Sequence, residues 1–125
     1  MTQRYFFNFT VAYADTDAEG VMYHARYIEV AERARFNFSK TMKIPDGDIG
    51  FVARDVNIKY MIPLLLGDDF VVESSFIKIG AASMTIEQKF VKCDKICAIM
   101  NITLAYLGSD MHPKAIPETI INMLK

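Results

Sequence analysis

The sequence predicts an α+β fold in which a curved antiparallel sheet wraps around one long helix. Two observations support this prediction. Hydrophobic residues recur at every second position before and after one stretch in which their spacing is helical. The gaps between the later strands are short enough for hairpins, which join antiparallel neighbours. Because only one long helix is available to cover a face of the sheet, we expect helix and sheet to share a core.

The first half of the chain contains one strand and the long helix. Residues 5–13 alternate between aromatic or aliphatic side chains and smaller or polar ones, which predicts a strand. A polar turn over residues 15–20 follows, and the helix is predicted from His24 to Met42. Its apolar stripe consists of Tyr27, Ala31, Ala34 and Phe38.

The second half alternates with period two and predicts four strands. We expect them over residues 52–62, 70–79, 83–92 and 96–107, followed by a short helix that opens at Pro117. In the last strand the even positions are apolar, and we expect all of them to be deeply buried: Ile96, Ala98, Met100, Ile102, Leu104 and Tyr106. The odd positions are also fairly apolar, which hints that a second subunit covers part of the other face.

Composition excludes several functional classes. The net charge of −1 argues against a nucleic-acid-binding protein, which usually carries a large basic excess. The start of the chain lacks the pattern of a signal peptide, and the apolar run 61–66 is too short to span a bilayer. We therefore expect one domain over residues 1–125, a cytoplasmic location and no stable membrane insertion. The cysteine pair, Cys93 and Cys97, has no second pair and no nearby histidine, so no metal site is expected.

Chemistry-bearing residues concentrate between the first strand and the helix. Asp15 and Asp17 lie on the polar turn, and a carboxylate there can act as a general base or nucleophile. Free N–H groups in the first helical turn can hold a developing oxyanion, and Gly20 lets the backbone approach a ligand closely. The alternative is structural, since Asp and Thr before a helix are common capping residues. We interpret Asp15 as such a capping residue.

The segment Asp15-Thr-Asp17-x-x-Gly20-Val21-x-Tyr23-His24-x-x-Tyr27 resembles the signature of the 4-hydroxybenzoyl-coenzyme A thioesterase family. It is especially similar to the branch of acyl-CoA thioesterases associated with the bacterial Tol–Pal envelope system. The resemblance continues through Glu32-x-x-Arg35, Tyr60-x-x-Pro63 and Gly80-x-x-Ser83, and it covers nearly the whole chain. It implies the hot-dog fold.

The resemblance also implies roles for individual residues. Asp17 matches the catalytic aspartate of the family. The backbone N–H of His24 would contact the thioester carbonyl, and its side chain would orient water or Asp17. Tyr13 and Tyr23 would lie beside the site, together with Gly20. Ser83 would lie near bound coenzyme A.

Glu19 departs from the family pattern, which has a small or neutral residue at that position. A second carboxylate close to Asp17 would disfavour anionic acyl groups. The nature of the acyl group is therefore left open by the sequence.

The implied activity is hydrolysis of an acyl-CoA thioester to a free acid and coenzyme A, without a cofactor. The family forms homodimers with sites between subunits, often paired again into homotetramers, and we expect the same here. Two alternatives remain open. One is a hot-dog dehydratase, which carries its carboxylate on the helix, and the other is a non-catalytic acyl-thioester binding protein.

Overall fold

The computed structural model describes residues 3–124, which form five strands and two α-helices. The predicted element order is confirmed. The elements are β1 (Arg4–Thr10), α1 (Arg26–Ser39), β2 (Gly50–Tyr60), β3 (Asp69–Ile79), β4 (Ser83–Lys92), β5 (Lys95–Leu107) and α2 (Glu118–Leu124).

The strands form one antiparallel sheet in the order β1-β3-β4-β5-β2. Strands β1 and β2 are therefore the two edges, and α1 is part of the connection between them. The helix lies against β1 and β3 on the inner face of the sheet. This leaves the inner face near β2 less covered than the face near β1.

Small side chains let α1 approach the sheet closely. Tyr27, Ala31 and Ala34 of the predicted stripe are buried, and Ala31 is completely inaccessible to solvent. Beneath the helix, the buried Gln88 donates its Nε2–H groups to the Ala31 carbonyl and to Ser74 Oγ, each at 3.0 Å. A longer side chain at position 31 would separate these groups and leave buried polar atoms unpaired.

The first strand ends earlier than predicted. Tyr13 was expected inside the strand, but β1 stops at Thr10 and Tyr13 is 84% exposed. The chain leaves the sheet because residues 13–15 form a 3₁₀ turn, in which the Asp15 carboxylate accepts the Ala12 N–H at 2.8 Å. Side-chain capping of this kind competes with strand pairing and was not apparent from the alternation alone.

The predicted burial pattern of the last strand, β5, is also partly wrong. Ile96 is 38% exposed and Cys97 is 1% exposed, the reverse of the prediction. Phe90 pairs with Ala98 while Val91 pairs with Ile96, so Cys97 is the extra residue of a β-bulge. A bulge of one residue exchanges the faces of the positions on one side of it. Leu104, expected to be deeply buried, is only partly buried.

Within residues 3–124, neither helix combines the length and apolar character that crossing a bilayer requires.

We expect Ala31→Leu to lower the free energy of unfolding by about 1–3 kcal/mol, because the added atoms must fit between α1 and the sheet. Arg33→Leu is the matched control, since Arg33 is an exposed residue of the same helix. Its effect should stay within about 0.5 kcal/mol. Urea denaturation monitored by circular dichroism measures both values. Equal stability of the two variants would contradict the proposed close packing.

Candidate active site

The segment between β1 and α1 folds back on itself as a small hairpin. Thr16 and Met22 form an antiparallel bridge, and the Asp17 N–H donates to the Val21 carbonyl at 2.9 Å. The hairpin closes through the Gly20 N–H, which donates to the Asp17 carbonyl at 3.1 Å. Gly20 has φ +81°, a conformation that favours glycine. The turn itself therefore explains why glycine occupies this position.

Asp15 fixes this hairpin to the start of α1. The carboxylate is almost fully buried and accepts the Arg26 Nε–H at 2.7 Å in addition to the Ala12 N–H. Arg26 also donates from Nη1 to Glu29 Oε1 at 2.6 Å. Its hydrogen bonds to Glu29 and Asp15 hold the pKa of Arg26 above its ordinary value. Asp15 is thus a structural residue, in agreement with its interpretation from the sequence.

A second segment, residues 61–68, borders the other side of the hairpin, and we call it the clamp. Its Leu64 carbonyl accepts the Met22 N–H at 2.7 Å, and its Leu66 N–H donates to the Gly20 carbonyl at 3.0 Å. The clamp is closed by Asp68, whose carboxylate accepts the Leu65 N–H at 2.7 Å and contacts Lys92 Nζ at 2.9 Å. These two contacts hold the pKa of Asp68 below its usual range.

The backbone just before α1 presents an N–H group without a partner. The His24 N–H donates no hydrogen bond to any group within residues 3–124. The His24 carbonyl accepts the Tyr60 hydroxyl at 2.7 Å, which fixes the orientation of the backbone at this point. Ala25, the N-cap residue, supplies no side-chain cap. A free amide at the positive end of a helix dipole is suited to bind an oxyanion.

A cleft of about 250 Å³ opens beside this amide. Tyr27 and Tyr60 form one wall, with their rings in edge-to-face contact at a centroid distance of 5.0 Å. Burial raises the pKa of both phenols, so both remain neutral hydroxyl groups at physiological pH. The lining residues are Val21, Met22, His24, Tyr27, Tyr60, Met61, Ile62 and Pro63.

Asp17 lies on the hairpin and does not itself line this cleft. One carboxylate oxygen, Oδ1, accepts the Glu19 N–H at 2.9 Å and so stabilises its own turn. The other oxygen accepts no hydrogen bond from the described residues. Oδ1 of Asp17 therefore stabilises the turn, while the other oxygen is free to contact a water molecule or a substrate.

The remaining candidate residues lie at different distances from the hairpin. Tyr23 is adjacent to it, with its ring centroid 4.5 Å from that of His24. Ser83 begins β4, whereas Lys92, the partner of the clamp residue Asp68, ends it. The ten residues of β4 separate the two by roughly 30 Å. One chain alone therefore does not bring Ser83 and Asp17 together.

Tyr60 is a functional candidate to which the sequence assigned no role. It was recognised within the Tyr60-x-x-Pro63 element of the resemblance, but its contact with His24 joins residues 36 positions apart. No local pattern reveals a contact over that separation.

The profile of the Thioesterase-like superfamily matches residues 11–124 of this chain. The chain is 30% identical to the acyl-CoA thioesterase YbgC of Haemophilus influenzae over 117 residues, which cover 88% of this chain and 86% of the relative. It is 28% identical over 125 residues to the acyl-CoA thioester hydrolase YbgC of Escherichia coli O157:H7, with coverages of 92% and 91%.

The fold is similar to that of Slr0204, a 1,4-dihydroxy-2-naphthoyl-CoA thioesterase from Synechocystis. The TM-score is 0.88 at 14% identity, and the alignment covers 98% of this chain and 96% of the other. This likeness confirms the predicted hot-dog fold. With the match over residues 11–124, the chain belongs to the Thioesterase-like superfamily.

Proposed function

We infer that this protein hydrolyses acyl-CoA thioesters to a free carboxylic acid and coenzyme A, with Asp17 as the catalytic carboxylate. The observation that carries this proposal is the unpartnered His24 N–H at the start of α1, next to the hairpin that holds Asp17. The activities of the YbgC relatives from Haemophilus influenzae and Escherichia coli support the same reaction and substrate class.

In the proposed mechanism, the thioester oxygen accepts the His24 N–H. Negative charge that develops on this oxygen is stabilised by the amide and by the dipole of α1. Asp17 uses its free oxygen either to attack the carbonyl carbon or to remove a proton from the attacking water. The His24 side chain orients the water or the carboxylate, while Gly20, Tyr13 and Tyr23 border the bound thioester.

A homodimer completes this site. The outer edge of β2 has no strand partner within residues 3–124, and Val56 and Tyr60 on this strand are 39% and 47% exposed. Antiparallel pairing of β2 with its copy would bring the Tyr60 end of one β2 close to the Gly50 end of the other. The partner subunit's hairpin would then approach the end of this chain that contains Ser83. Residues that are far apart in one chain would meet in the dimer.

The branch of the superfamily, the domain bounds, the location and the tetramer are proposed from the sequence alone. We propose a member of the Tol–Pal-associated branch, a single hot-dog domain over residues 1–125 and a cytoplasmic location. Further pairing of dimers into tetramers is part of the same proposal.

We expect Asp17→Asn to lower kcat for thiol release by about 10²–10⁴-fold, because the amide cannot act as base or nucleophile. Asparagine retains the side-chain oxygen that accepts the Glu19 N–H, so the hairpin should keep its shape. Release of free thiol from a panel of short, long and aromatic acyl-CoAs measures the effect.

Glu19→Gln is the matched control for Asp17→Asn, since it removes a neighbouring carboxylate on the same turn and should leave most activity. Acyl-CoA binding without thiol release by the wild type would instead identify a binding protein. Loss of water from a β-hydroxyacyl-CoA would identify a dehydratase. Full activity of Asp17→Asn would refute the role of Asp17.

We expect Tyr60→Phe to lower kcat by roughly three- to tenfold, the cost of one ordinary hydrogen bond. Without the hydroxyl, the His24 carbonyl is no longer held and the adjacent N–H loses its fixed direction. Because Tyr60 positions the amide that binds the transition state, KM should change less than kcat. A fall in the melting temperature with unchanged kcat would indicate a purely structural role.

A further inference from the structure

A second cleft, of about 330 Å³, runs between the C-terminal half of α1 and the inner face of the sheet near β2. Besides α1, the strands β2, β3, β4 and β5 contribute residues to its walls. The walls are mainly apolar and include Phe36, Phe51, Met84, Ile86 and Leu104.

One cation, Arg35, lies on the wall of this apolar cleft. Its Nη1–H donates to Gln88 Oε1 at 2.9 Å. No carboxylate oxygen within residues 3–124 comes within 4.0 Å of its guanidinium nitrogens. Burial lowers the pKa of Arg35, although a guanidinium remains charged at any physiological pH. Glu32 interacts with this charge electrostatically but forms no ion pair with it, so a ligand carboxylate would supply the close counter-ion that Arg35 lacks.

The Arg35 guanidinium is held at one nitrogen and lines the cleft. Gln88 uses its amide nitrogen on Ala31 and Ser74, so it holds Arg35 through its oxygen alone. Among fully enclosed side-chain polar atoms of the described residues, only Asn101 Oδ1 lacks a hydrogen-bond partner. The remaining guanidinium nitrogens therefore keep access to the open space of the cleft. They form a planar set of donors that matches a carboxylate.

We propose that this cleft binds the acyl group and that Arg35 recognises a carboxylate at the far end of the acyl chain. The substrates would be coenzyme A monothioesters of dicarboxylic acids. This inference rests on the proposed function and on the proposed dimer. In that dimer, the Phe51 end of the cleft would lie near the end of the partner's β2 that leads to the hairpin, and thus near the amide that binds the thioester.

Two carboxylates limit where the negative charge of the substrate is accepted. Glu19 lies on the hairpin beside Asp17 and opposes charge near the reacting carbon. Glu32 also lines the cleft but is solvent-exposed, and it does not pair with Arg35 within 4.0 Å. A terminal carboxylate at Arg35 would be held away from Glu19 and would still experience repulsion from Glu32.

The test compares kcat/KM for thiol release from hexanoyl-CoA and adipoyl-CoA, which have equal chain length and differ in the terminal group. The wild type should prefer adipoyl-CoA. Arg35→Met keeps an apolar stem of similar size but removes the charge. It should lower the adipoyl-to-hexanoyl ratio by about ten- to a hundredfold, as expected for a charge-assisted hydrogen bond. A merely structural role of Arg35 would reduce both values equally and leave the ratio unchanged.

Glu32→Gln is the second variant and should shift the ratio in the opposite direction, by about two- to fivefold in favour of adipoyl-CoA. Because Glu32 is exposed, we expect Glu32→Gln to fold normally. Its adipoyl-to-hexanoyl ratio therefore tests the inference if Arg35→Met does not fold. Hydrolysis of both substrates with a ratio that neither variant alters would overturn the inference. Absence of thiol release from every acyl-CoA would overturn the proposed function, and this inference with it.

Discussion

The geometry of the candidate site depends on the ion pair between Asp15 and Arg26. Asp15 is buried, and a buried carboxylate is tolerated only where hydrogen bonds and a counter-charge replace water. It receives the Ala12 amide from one side and the Arg26 guanidinium from the other. The first contact ends β1, and the second joins the hairpin to α1. The positions of Asp17 and of the His24 amide follow from these two contacts.

A second constraint is the depth at which α1 rests on the sheet. Alanine at position 31 lets the helix pack so close to the sheet that the Ala31 carbonyl accepts a hydrogen bond from Gln88, a buried polar residue of β4. The same glutamine holds Arg35 one turn further along the helix. The close packing at Ala31 and the charged wall of the cleft are therefore only one helical turn apart. The polar contacts beneath α1 are connected through Gln88, so packing and the proposed recognition of the acyl group are physically linked.

Local patterns predicted most of the fold. β4 lies where the alternation placed it, and Ala31 and Ala34 of the helical stripe are buried. The errors concern interactions between segments. The capping of the turn by Asp15 ended β1 before Tyr13, and the bulge at Cys97 exposed Ile96. Periodicity assumes a regular ladder and contains no information about either feature.

The same limit applies to the site. Asp17 and His24 could be selected because a local motif contains both. The contact from Tyr60 to His24 depends on the tertiary fold, and the separation of Ser83 from the hairpin depends on which end of the sheet each occupies. The free His24 amide was expected from the resemblance, and its lack of a partner follows from the folded backbone.

The bulge in β5 affects more than the strand that contains it. The carbonyl of its extra residue, Cys97, accepts two amides from the clamp, the Met61 N–H at 2.8 Å and the Ile62 N–H at 3.0 Å. These bonds turn the chain out of β2 and direct it across the hairpin. The path of the clamp is thus determined by the number of residues in β5 rather than by the chemistry of any side chain at position 97. Another small apolar residue at position 97 would keep these bonds, whereas losing one residue of length there would redirect the backbone that borders the hairpin.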